Sequence, residues 1–277
     1  MQNEEWVTGN IGLNIGGKPL NMQVTVPAKP VKPQRMLPIF HQMTNAFVDL
    51  SVQAIEASGE KISCKAGCGA CCRQPVPIAE IEAYQIAELV EAMDETRKSE
   101  IKKRFADAFA QLQSINWFEK MQNCSELAKT ETPEEVMKEG LKVAMEYFRQ
   151  GIACPFLENE SCSIHQSRPV ACREYLVTSP AENCSAPTAE TVDVIDLLVK
   201  PSENLKFVGR TQNLAKIGFI PLISSLEIVK QFPENFIEKK GERWLADFFQ
   251  MLTQREIPKK GVKSKPKPKT RPKKRRL

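Results

Sequence analysis

Cys64-Lys65-Ala66-Gly67-Cys68-Gly69-Ala70-Cys71-Cys72 places four thiols within nine residues and separates them only with lysine, alanine and glycine. Small spacers let a backbone fold back on one point. Gly67 and Gly69 can take the positive φ that turns backbone N–H groups toward sulfur and stabilises thiolate charge. Inert buried cysteine does not cluster four in nine residues, so this stretch predicts a fold built around a metal.

A second block begins further along. It reads Cys154-Pro155-Phe156-Leu157, Cys162-Ser163-Ile164-His165, Arg168-Pro169-Val170-Ala171-Cys172-Arg173-Glu174-Tyr175 and then Cys184. With Cys64, Cys68, Cys71 and Cys72 it makes eight thiols, enough for two four-ligand centres or for one centre plus a structural zinc. Adjacent side chains diverge in most backbone conformations, so Cys71 and Cys72 are poorly placed to bind one ion together. Two metal positions close to one another are therefore expected. Four thiolates around a divalent metal or a 4Fe–4S cubane leave roughly −2 of charge. Lys65, Arg73, Arg168 and Arg173 lie near enough in sequence to offset it, and Arg168 and Arg173, which flank Cys172, are the candidate outer residues of the cofactor site. An iron–sulfur cluster is expected ahead of zinc.

Three residues stand apart from this set. Cys124 is alone between the blocks on a helical pattern and reads as core filler. His165 follows Cys162 by three residues and is either a ligand or a proton donor beside the metal. His41 lies on an apolar helix and reads as a packing residue.

The rest of the chain does not need metal for lack of size. Its 277 residues, 42% of them apolar, can bury a sizeable core. The acidic start, Met1-Gln2-Asn3-Glu4-Glu5-Trp6, is followed by no continuous apolar stretch, which predicts no secretory signal and a cytoplasmic, reducing location where disulfides are rare. No run of about 18 apolar residues predicts a membrane span. The net charge of +5 conceals a division: residues 259–277 carry eleven Lys or Arg and no carboxylate, leaving 28 basic and 34 acidic side chains in residues 1–258. That tail has almost no apolar surface. It is expected to be a disordered basic arm over 258–277, able to contact nucleic acid or another polyanion.

Ile11, Leu13 and Ile15 alternate before Gly16-Gly17, and Leu20, Met22, Val24 and Val26 alternate after it, the period of a β-hairpin with one buried face. Pro27, Pro30 and Pro33 make a linker-like stretch that closes an N-terminal unit of residues 1–35. A cysteine-cluster metal-binding domain is expected over 36–257. Within it Ile39 to Ile55 and Pro77 to Val90 have helical spacing, and a third helix is expected over about 94–122. A fourth has Thr132 as N-cap, Pro133 at the first position, Glu135 closing a capping box and Gly151 past its end. Strands are expected at 192–199 and 205–208, and helices at 222–232 and 242–252. The fold class is α+β, predominantly helical, with a metal-organised irregular core and a small N-terminal β-hairpin.

Over roughly Ile62 to Cys184 the sequence resembles the YkgJ-type cysteine-cluster family, a zinc- or iron-chelating domain that also forms part of bacterial flagellin lysine N-methylases. The matching elements are Cys64 through Cys72, Cys154-Pro155-Phe156-Leu157, Cys162-Ser163-Ile164-His165, and Arg168-Pro169 leading into Cys172-Arg173-Glu174-Tyr175. Three residues rather than the commoner two separate Cys64 from Cys68, and His165 stands where the family often has tyrosine. The resemblance implies a bound iron–sulfur cluster or zinc and no settled reaction. Cys64, Cys68 and Cys71 also reproduce the C-x3-C-x2-C spacing of radical-SAM enzymes, but helical pattern precedes the loop and no strand–helix alternation follows it.

Two functions fit. One is an iron–sulfur protein with redox or group-transfer activity, akin to protein methylation and acting on a protein substrate. The other is a zinc-organised binding module whose basic tail contacts nucleic acid, the metal supplying only folding free energy. No nucleotide-binding glycine fingerprint and no Ser/His/Asp set points to catalytic residues, so whether the protein is an enzyme stays open.

Overall fold

The computed structural model describes residues 5–188, 190–211 and 220–255. The basic arm expected at 258–277 lies outside them. The chain opens with a hairpin of β1 (Trp6–Ile15) and β2 (Lys18–Pro27), joined by Gly16 at φ +58° and Gly17 at φ +85°. Both turn residues are left-handed, as a two-residue turn that follows the strand twist requires. After the short β3 (Pro30–Val31) come α1 (Leu37–Ala57), β4 (Pro77–Ile78), α2 (Glu80–Glu91), α3 (Glu95–Ser114), α4 (Trp117–Leu127) and α5 (Pro133–Arg149). A turn-rich stretch follows, holding β5 (Leu157–Glu158), β6 (Ser161–Cys162), α6 (Val170–Glu174) and α7 (Pro201–Leu205). The described chain closes with β7 (Ile220–Pro221), α8 (Ser225–Gln231), β8 (Lys239–Lys240) and α9 (Gly241–Arg255). The class is α+β and predominantly helical. Among the described residues no helix is long and apolar enough to cross a membrane.

The main core forms where the inner face of the hairpin (Ile15, Val24, Val26) meets α1 and α9. Phe40 of α1 lies 4.8 Å from Phe248 of α9, ring centre to ring centre, and the indole N–H of Trp244 donates to the Val31 carbonyl at 2.9 Å. Each such side chain contributes about 1.5–3 kcal/mol by leaving water. A second core joins α2 and α3 to Phe156, Ile164 and Leu222, with Phe105 edge-on to Phe156 at 5.5 Å. Cys154 and Cys162 pack against it. A third, around Trp117 and Tyr147, fastens α4 and α5 to the end of α3.

Three expectations are corrected. The helix expected over 94–122 is two, because Asn116 adopts the left-handed conformation (φ 56°) that asparagine tolerates and breaks the run between α3 and α4. The helical pattern expected to open at Pro77 starts at Glu80, since Pro77 and Ile78 pair with Pro221 and Ile220 instead. The strands expected at 192–199 and 205–208 do not form. Val194 makes one isolated bridge to Val177, and Pro201–Leu205 is helical, with Pro201 in its first turn and its Ser202 N–H held by the Glu174 carboxylate at 2.7 Å. The fourth helix has the caps expected, the Glu135 N–H donating to the Thr132 hydroxyl at 3.3 Å and the Thr132 N–H to the Glu135 carboxylate at 3.1 Å.

His41 is buried on α1, and among the described residues its Nε2 meets no partner. Burial, then the nearby charges of Arg173 and Arg168, push its pKa down to about 3. An unfolded histidine titrates near 6.5. Folding therefore favours the neutral ring, and this stability is fully present above pH 6.5 and falls as pH drops toward 3. By pH 5.5 the loss is about 1.4 kcal/mol, one pH unit below the unfolded value. Unfolding free energies of wild type and His41→Leu should diverge by that amount between pH 7.5 and 5.5. Parallel curves would show that the ring is not held neutral.

Candidate metal centre

The first thiol segment leaves α1 in an extended path tied to residues 177–178: the Ser63 N–H donates to the Val177 carbonyl at 2.9 Å, and its hydroxyl to that of Thr178 at 2.8 Å. The chain then turns at Gly67, whose φ is +79°. Gly69 is needed for a different reason. Its φ is −95°, but a Cβ there would stand 2.5 Å from Leu157 Cδ1 and 3.1 Å from the Glu160 Cα, so only glycine lets this loop touch the β5–β6 hairpin. The positive φ expected at both glycines is thus found at the first alone.

A 3-10 turn over Ala70–Arg73 carries Cys71 and Cys72. Its Cys72 carbonyl accepts the Cys154 N–H at 2.7 Å, which joins the two thiol segments directly. Arg73 pairs with Glu160 at 2.7 Å and donates to the Gly69 carbonyl at 3.0 Å, so its charge braces the loop.

The second segment is clamped by α3. Arg104 donates to the Pro155 carbonyl at 3.1 Å, and Arg97 pairs with Glu158 and reaches the Ser163 hydroxyl at 3.1 Å. Asn159 and Glu160, both at positive φ, turn β5 into β6 and present Cys162. Glu82 then starts α6. Its buried carboxylate accepts the Val170 N–H and the Ala79 N–H, each at 2.7 Å, and so ties the helix bearing Cys172 to α2.

Arg173 is buried and hydrogen-bonded to Asn45 of α1 at 3.1 Å, to the Arg168 carbonyl at 3.1 Å and to the Gln166 carbonyl. It holds the 165–172 loop in shape. Arg168 donates to His165 Nε2, and His165 is exposed. Both guanidinium charges lower the Cys162 thiol against the larger upward push of burial, and Arg168 does the same at Cys71.

The thiols fall into neighbourhoods. Cys64, Cys68 and Cys184 pack around Ala70 and Val177 with Tyr175 beside them. The Tyr175 hydroxyl meets the Cys184 thiol and accepts from the Gln74 amide at 3.2 Å. Cys154 and Cys162 pack around Phe156 and Ile164, and Cys172 adjoins both electrostatically. Cys71 and Cys72 hydrogen-bond to one another, so these neighbours do not diverge as adjacent side chains usually do. Cys124 is far along the chain on α4, with Glu139 of α5 nearby.

Burial pushes the Cys154 thiol up to about 12 and the Cys172 thiol well above its ordinary value, and neighbouring sulfurs add to both. Burial also raises Cys64 and Cys184. At Cys71 the hydrogen bond with Cys72 is the first cause of a rise, and burial the second. Among the described residues no three or more His, Cys, Asp or Glu side chains converge closely enough to hold an ion. Crowded sulfurs have no cause to converge until a cation neutralises them, because ionising each opposes ionising the next. The donor set nonetheless fits a soft metal. It is all sulfur, and three thiols already receive backbone N–H groups: Cys64 from Val177, Cys154 from Phe156 and Cys162 from Ile164.

Beside Cys64 a groove of about 660 Å³ opens to solvent, lined by Glu60, Lys61, Ser63, Lys65, Thr178 and Asp193 among others. Glu82 and Gln74, which shape the thiol site, belong to no motif read from the sequence and are legible only in three dimensions, whereas Tyr175 lies in the Cys172-Arg173-Glu174-Tyr175 element.

No curated protein and no solved structure matches the chain. The family model described as "CxxCxxCC: Putative zinc- or iron-chelating domain" matches residues 63–191, a span that takes in the eight clustered cysteines and also Cys124. The match supports metal binding by the cysteine cluster over residues 63–191.

Proposed function

We propose that the clustered cysteines hold an iron–sulfur cluster and that the protein acts in redox or group-transfer chemistry on a protein substrate approaching through the groove beside Cys64. The observation that carries this is the delivery of backbone N–H groups to Cys64, Cys154 and Cys162. Such hydrogen bonds, with charges like that of Arg168, set the potential of an iron–sulfur centre. When bound, the cluster supplies electrons or an electrophilic iron. The chain's own part is to hold the thiols, through Glu82, Arg97, Arg104 and Arg173, and to leave one side open at the groove.

Anaerobic purification followed by iron, sulfide and zinc analysis tests this. Iron with acid-labile sulfide and a brown colour is expected. Zinc alone would assign the centre to support of the fold, and neither metal would end the proposal. Cys124→Ala should keep full metal content, whereas Cys68→Ala should lose much of it. Equal losses would mean that the thiols are wrongly sorted.

A further inference from the structure

We propose that the cluster makes two metal positions linked through one sulfur: Cys64, Cys68 and Cys184 hold the first, Cys154, Cys162 and Cys172 hold the second, and Cys71 is common to both. This rests on the metal-binding reading above and goes beyond it in fixing the number of positions and the ligands of each.

Packing separates the two triads. Cys64, Cys68 and Cys184 surround Ala70 and Val177, while Cys154 and Cys162 lie on the core of Phe156 and Ile164. The division crosses the order of the chain, since Cys184 leaves the second segment to join the first. A 3-10 turn over Ala181–Ser185 carries it there and packs against the Ala70–Arg73 turn.

Each triad is one sulfur short of the four that close a thiolate site. The two sulfurs left are Cys71 and Cys72, on the turn between the triads. That turn meets the Cys184 turn on one side, and on the other its Cys72 carbonyl takes the Cys154 N–H at 2.7 Å. Cys71 is near both triads: its charge acts on Cys64 and Cys184, and also on Cys154, Cys162 and Cys172. Cys72 instead meets Cys71 and Arg73. A thiolate can bridge two metals with its spare lone pairs, and seven thiolates with two divalent ions leave a net charge of about −3, beside Arg168 and Arg173.

The test uses the full chain produced in iron-depleted medium with zinc or with cobalt, counted by native mass spectrometry. Wild type should carry two zinc ions, and so should Cys72→Ser. Cys184→Ser and Cys172→Ser should each carry one. Cys71→Ser should bind both at least tenfold more weakly. Should a variant fail to fold, wild type titrated with cobalt decides: a shared thiolate couples the two ions, so the paramagnetic resonance signal of the first should fall as the second enters. Signal that doubles, full affinity at both positions in Cys71→Ser, or loss of both metals together from folded Cys172→Ser would overturn the linked arrangement. Wild type that takes up neither metal would instead remove the metal-binding reading on which it rests.

Discussion

Stripping the metal from reduced, purified protein with a chelator should lower its melting temperature by roughly 8–16 °C. A ligand present at 1,000 times its dissociation constant stabilises the folded state by about 4 kcal/mol. In a domain of 150–250 residues each kcal/mol moves the midpoint by about 2–4 °C. The loss should be large because the first thiol segment rests on a small apolar cluster. Among the described residues, the buried members of the apolar cluster beneath Cys64 and Cys68 are Ala70, Val177 and Cys184. Scanning calorimetry before and after chelation, and again after metal is returned, checks this. An unchanged midpoint in a preparation shown to have lost its metal would mean that the apolar cores alone carry the fold.

Glu82→Ala should cost about 2–6 kcal/mol, because two buried backbone N–H groups, those of Ala79 and Val170, lose their acceptor and each unpaired donor costs about 1–3 kcal/mol. Glu82→Gln should rescue little, since its amide oxygen can serve one N–H but its NH2 opposes the other. Both variants should also weaken metal binding, because Val170 begins the helix that bears Cys172. Urea unfolding and metal content measured together test the point. A Gln variant as stable as wild type would show that Glu82 is held as a neutral acid, a state favoured by burial, which raises its pKa to about 7.

What could be read from the residues follows from how local each signal is. The Gly16-Gly17 turn and the Thr132–Glu135 cap depend on neighbours within a few positions, and both are found. The break at Asn116 was hidden because asparagine is acceptable within a helix as well as at a left-handed kink. Segment 192–208 has strand-like composition. A carboxylate from Glu174 and a proline decide its shape, and neither acts through periodicity. At the site, the eight thiols were visible as a set, but their division was not. Cys184 changes neighbourhood through packing against a turn more than a hundred residues earlier. Glu82 bonds to a backbone group 88 positions away, which no spacing announces.

The 2.7 Å bond from the Cys154 N–H to the Cys72 carbonyl joins residues about 80 positions apart, with α2 to α5 between them. At about 5–20 residues per second, the ribosome takes roughly 4–16 s to make that stretch. For that interval Cys64, Cys68, Cys71 and Cys72 have been made while Cys154 has not. The nascent chain therefore holds four close thiols without their partners, open to oxidation or to premature capture of a stray ion. Timing then matters as well as affinity: a metal arriving after Cys184 is translated meets all eight clustered thiols, and one arriving before Cys154 is made meets four.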